Sequence, residues 1–84
     1  MKLKDSFLTH ELNGEQIMMS VDGSFDGLVT NNETAAFIVN CLKEETTEEE
    51  IAARMYEQYD APIELIRDDV KKVIEKLRCI GAIE

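Results

Sequence analysis

The spacing of apolar residues changes character near residue 32 of this 84-residue chain, separating a β half from a helical half. Residues 7–12 and 16–21 are β-compatible runs. The first carries Phe7, Leu8 and Leu12, the second Ile17, Met18, Met19 and Val21. Between them stands Asn13-Gly14, a pair suited to a two-residue hairpin because both residues tolerate positive φ. A third short strand is predicted at 27–31, after a turn rich in Asp, Ser and Gly.

From Asn32 onward the period is helical. Ala35, Ile38, Val39 and Leu42 follow Asn32, a good N-cap, with Glu33 placed to favour the helix dipole. A second helix opens at Thr46-Thr47-Glu48-Glu49-Glu50, where either Thr has a Glu three residues on, as in a capping box. Its stripe is Ile51, Met55 and Tyr59, widened by Ala52 and Tyr56, and its acidic run reads as a solvated helix start. Asp60-Ala61-Pro62 is a break, with Pro62 suited to the first turn of a third helix. There Ile66, Val70, Val73, Leu77 and Ile80 form the expected core stripe, Gly81 stops the helix, and Ala82-Ile83 pack as a tail. Ile38, Leu42, Ile51, Met55, Val70, Val73 and Leu77 are expected to be buried together. The order β-β-β-α-α-α predicts an α+β fold, winged helix-turn-helix-like, with residues 1–84 as one domain.

Composition narrows the function. Hydrophobic content of 44% is enough for a folded core. No apolar run is long enough to span a membrane and no signal-peptide pattern follows Met1, so a cytoplasmic protein without a membrane partner is expected. Net charge is −9. Residues 1–60 hold four basic residues against thirteen acidic ones, whereas residues 61–84 hold five of each. An acidic body disfavours nucleic acid, and the C-terminal segment is where positive charge could be presented. Cys41 and Cys79 fall among apolar neighbours and are expected to be buried, reduced thiols. With one His beside them they give no zinc pattern.

One stretch invites a metal. In DGSFDGLVTNNE (22–33), Asp22, Ser24, Asp26 and Glu33 have the oxygen spacing of an EF-hand loop, with Gly27 sixth. Such a loop needs an entering helix, and a hairpin precedes this one, so a turn is expected and no metal. His10 is the only histidine, with no nucleophile placed near it by any motif, and Ser24 lacks the Asp-Ser-Leu context of a phosphopantetheine site. The chain is not expected to be an enzyme or to need a cofactor.

The runs GLVTNNETAAFIVNCL, TTEEEIAARMYEQYDAP and ELIRDDVKKVIEKLRCIGAIE resemble PqqD-like proteins, the peptide-recognition elements of ribosomally made, modified peptides. The likeness rests on Asn-Glu-Thr-Ala-Ala at 32–36, on Thr-x-Glu-Glu-Ile-Ala running to Tyr-Asp at 47–60, and on Leu-x-x-x-Gly-x-Ile at 77–83. Two positions depart from the pattern: Asn31 stands in place of an aliphatic residue, and Val39 in place of a frequent Trp. The resemblance implies a non-catalytic, chaperone-like domain that binds the leader of a precursor peptide and presents it to a modifying enzyme, often a radical SAM enzyme. Pyrroloquinoline quinone synthesis is one such pathway. The leader is expected to add as a strand at the sheet edge and to lie against the last helix.

The residues are compatible with that role. Leu28, Val29 and Thr30 lie in a short third strand without Lys or Pro to block edge pairing. On the third helix Arg67, Lys71, Ile74 and Arg78 are spaced to share a face beside the core stripe, three cations around one apolar residue. Without the resemblance, a solvated flank paired with Asp68 and Glu75 explains the same residues. The rival function is a winged-helix DNA-binding regulator, which the charge of −9 opposes. Self-association as a homodimer is left open.

Overall fold

The computed structural model describes residues 1–84 as three strands followed by three helices, β1 (Phe7–Leu12), β2 (Glu15–Ser20), β3 (Leu28–Asn31), α1 (Glu33–Cys41), α2 (Glu48–Gln58) and α3 (Ile63–Cys79). The sheet is antiparallel in the order β1-β2-β3, so β1 and β3 are both edges. Asn13 (φ 54°) and Gly14 (φ 81°) turn the β1–β2 hairpin, both in the left-handed region that this pair tolerates.

The first two helices begin where a polar side chain satisfies a free N–H group. Asn32 accepts the Ala35 N–H at 2.9 Å, and Thr47 accepts the Glu50 N–H at 3.2 Å. Of the two adjacent threonines, Thr47 is therefore the cap. Thr46 is buried, and its hydroxyl donates to Glu50 at 3.1 Å. Such caps are each worth about 1 kcal/mol. Pro62 precedes α3 as its N-cap without a side-chain bond. The far end of α3 is closed by a Schellman turn, in which Gly81 (φ 74°) lets Ala82 N–H reach Leu77 C=O at 2.8 Å and Gly81 N–H reach Arg78 C=O at 3.0 Å.

The core lies between the inner sheet face and the three helices. Met18 and Phe7 from the sheet meet Ile38, Val39 and Leu42, Ile51 and Met55, and Ile66, Val70, Ile74 and Leu77. Residues 1–6 and 81–84 are also tied in. Leu3 bridges Ile83, Leu3 N–H donates to Leu42 C=O at 2.8 Å, and Lys4 N–H donates to Ala82 C=O at 2.8 Å.

The expected α3 stripe requires correction at three positions. Ile74, expected on the open face, is 0% exposed, whereas Val73 and Ile80, expected in the core, are only half-buried. Both stripes fit the helical period equally well, and the buried residues 66, 70, 74 and 77 show that the helix is rotated from the expected setting toward Ile74. Cys79, expected to be buried, is exposed because it lies well around the helix from either stripe, while Cys41 is enclosed. No helix is long and apolar enough to cross a membrane.

The outer sheet face is partly apolar. Leu8, Met19 and Leu28 are in register across all three strands, with Leu8 52% and Leu28 65% exposed.

Candidate functional site

β3 pairs with β2 along one side and faces no strand along the other. On such an edge, alternate residues direct their N–H and C=O groups outward, where another strand can take them up. α3 runs beside this edge, and an open groove of about 870 Å³ lies between them. Val29, Thr30 and Asn31 form one wall, and the start of α1, at Asn32, Thr34 and Ala35, closes one end.

The helical wall comes from Asp69, Val73, Lys76 and Ile80, spaced to lie one above another on a single face of α3. Val73 and Ile80 are the half-buried apolar floor, while Lys72, Lys76, Asp69 and Glu75 stand on the rim. Lys72 is engaged by Asp68 at 3.0 Å, and this hydrogen bond and charge hold its amine above the ordinary value. Lys76 makes no ion pair, so it is the free cation of the groove.

The seven residues expected at the site are divided by this geometry. Val29 and Thr30 line the groove, while Leu28 projects from the outer sheet face in register with Met19. Ile74 lies wholly in the core and has no surface to offer a ligand. Arg67 and Lys71 open instead on a separate depression of about 550 Å³, shared with Glu48 and Glu49 of α2 and with Glu64 and Asp68. Arg78 is exposed and lines neither hollow. The reason is helical geometry: the core seam divides α3 into two flanks, and Arg67, Lys71 and Arg78 occupy the one turned toward α2. Val73, Lys76 and Ile80, which sequence reasoning assigned to core or left unused, occupy the flank beside β3. The 73–76–80 spacing marks a shared face but not that the face stands beside β3.

The turn before β3 is not an EF-hand loop. Strand β2 enters it, residues 28–31 are themselves a strand, and Glu33 opens α1. Asp22 serves the turn instead, accepting Ser20 Oγ–H at 2.7 Å and Ser24 N–H at 2.9 Å. Hydrogen bonds from Ser24 and then Ser20 hold its carboxyl well below the ordinary value of 3.8. Because the folded value is depressed, the turn's stabilisation is complete above 3.8 and is lost only as pH falls through the lower folded value. The Ser24 amide resonance should therefore titrate with a midpoint well below 3.8, and added calcium should leave it in place. A midpoint at the ordinary value would show that these bonds do not form.

Two kinds of likeness bear on the groove. The solved structure of TbiB1 in complex with the TbiA(beta) leader peptide superposes with a TM-score of 0.86 at 17% identity, covering 100% of this chain and 95% of that one. Lasso peptide synthetase B1 complexed with the leader peptide gives a TM-score of 0.80 at 16% identity, covering 96% and 93%. At these identities both establish a shared fold. No curated protein sequence matches the chain. The family model described as coenzyme PQQ synthesis protein D (PqqD) matches residues 15–83, which hold β2, β3 and all three helices. On that match, the chain belongs to the PqqD family.

Proposed function

We propose that this protein is a non-catalytic peptide-binding protein. It takes the leader of a ribosomally made precursor as a fourth strand along β3 and presents the rest of the precursor to a modifying enzyme. The observation that carries this reading is the groove itself, an unpaired strand edge facing a helix wall with Val73 and Ile80 as its apolar floor and a charged rim. Family membership and the leader peptides bound by two proteins of the same fold support it.

Magnitudes indicate what the groove must supply. β3 is four residues long, so it offers an added strand only a few backbone hydrogen bonds, each worth about 1 kcal/mol net. Association itself costs about 4 kcal/mol or more. Burial of leader side chains on Val73 and Ile80 has to provide the surplus.

The enzyme partner is, on the family resemblance, a radical SAM enzyme, and the setting is the cytoplasm. The apolar row of exposed Leu8 and Leu28 with half-buried Met19 between them supports engagement by a second protein. DNA binding has no support from this surface. The α3 cations alternate with Glu64, Asp68, Asp69 and Glu75, and the whole chain carries −9. The test is calorimetric titration of the folded protein with a synthetic leader from the precursor frame neighbouring its gene. One-to-one binding is expected, with protection of the β3 amides from hydrogen exchange. A folded protein that takes up no leader, or binds it without protecting β3, overturns the reading. Sedimentation of the same sample reports any homodimer as a concentration-dependent mass.

A further inference from the structure

The inner sheet face contains two buried carboxamides. Gln16 and Asn31, 1% and 6% exposed, stand opposite each other across β2 and β3. Asn31 Nδ2–H donates to Gln16 Oε1 at 2.9 Å, and Gln16 Nε2–H donates to Asn40 Oδ1 at 3.1 Å. The chain of bonds runs from the groove to α1 and leaves one end free, since Asn31 Oδ1 accepts no bond from the protein. No enclosed side-chain oxygen or nitrogen lacks a partner, so this oxygen reaches the groove that Asn31 lines. Reversing all three amides would preserve both bonds and turn the Asn31 NH₂ to the groove instead. Either way, a hydrogen-bonding atom of a nearly buried side chain opens where an added strand would lie.

We infer that Asn31 is a specificity-determining residue, which selects peptides carrying a hydroxyl or carboxamide side chain opposite it on the inner face of the added strand. The inference rests on the strand-addition reading above. Glu11, Gln16 and Asn31 are in register across the three strands, and a fourth strand continues this row by one residue. An aliphatic side chain there would cover the free amide atom without bonding it, which weakens binding about tenfold or more. Ser, Thr, Asn or Gln satisfies it with either orientation of the amide, because each both donates and accepts.

The probe is a displayed library of random dodecapeptides, selected separately on the wild-type protein and on the Gln16→Leu/Asn31→Leu double variant. The double change replaces both buried amides by apolar groups of similar size and leaves Asn40, which is exposed, to water. Peptides selected on the wild type should carry a hydroxyl or carboxamide at one fixed position, and those selected on the variant an aliphatic residue there. Changing that position to Leu in a wild-type-selected peptide should lower its affinity about tenfold for the wild type and not for the variant. Pools with the same preference, or equal losses on both proteins, overturn the inference while leaving strand addition standing. A library that yields no peptide protecting β3 overturns strand addition and this inference together. If circular dichroism shows the double variant unfolded, the Leu change measured on the wild type decides alone, and an undiminished affinity overturns the inference.

Discussion

Replacing Ile74 by Asp is expected to unfold the protein, whereas the same change one residue earlier, at Val73, leaves it folded. Ile74 is 0% exposed within the cluster that joins α3 to Ile38, Ile51 and Met18. Truncating such a side chain costs about 2–5 kcal/mol, and an unpaired carboxylate in its place adds several more. A protein of this length has roughly 4–13 kcal/mol of stability in total, so the substitution consumes most or all of it. At Val73, half-buried on the groove wall, an Asp side chain reaches water, and the loss is on the order of 1 kcal/mol. Urea titration followed by circular dichroism separates the two. Ile74→Asp should lack a cooperative transition, while Val73→Asp should keep one at a slightly lower midpoint. A cooperative Ile74→Asp with the parent's midpoint would mean that α3 is rotated as the sequence first suggests.

That pair of residues also marks the limit of what the sequence makes legible. Local chemistry reads well where one side chain determines its own backbone. Asn13-Gly14 has the positive φ values its turn requires, and Asn32 and Thr47 each bond the N–H three residues ahead. The element order and the α+β class follow from such signals. The setting of α3 does not, because Val73 and Ile74 are both apolar and about 100° apart around the helix. Choosing between them requires knowing that α2 packs on one flank and β3 stands beside the other. Periodicity within a helix does not contain that information. The same limit applies to Arg67 and Lys71, whose spacing announces a shared face but not that Glu48 and Glu49 stand opposite it. Asn31, legible only as a departure from a family pattern, becomes intelligible through Gln16 and Asn40, residues fifteen and nine positions away.

Val73→Asp should weaken leader binding about a hundredfold or more while Lys71→Glu leaves it unchanged. Val73 lies on the helical wall with Ile80, facing the open edge of β3. A leader side chain packed there loses its apolar contact, about 1.5–3 kcal/mol for a fully buried residue. The new carboxylate must also be stripped of water, at a cost of a few kcal/mol more. Because the variant stays folded, the loss belongs to the groove and not to stability. Lys76, the unpaired cation on the rim, acts through a screened field. Lys76→Glu should therefore weaken an acidic leader several-fold at low ionic strength and have little effect at high salt. Lys71 opens on the α2 flank among Glu48, Glu49 and Glu64, with the core seam between it and the groove, so its charge has no leader to meet. Calorimetry on the three folded variants, each at low and high salt, ranks them. If Lys71→Glu weakens binding more than Val73→Asp does, the leader lies between α2 and α3, and the edge of β3 is not where it is held.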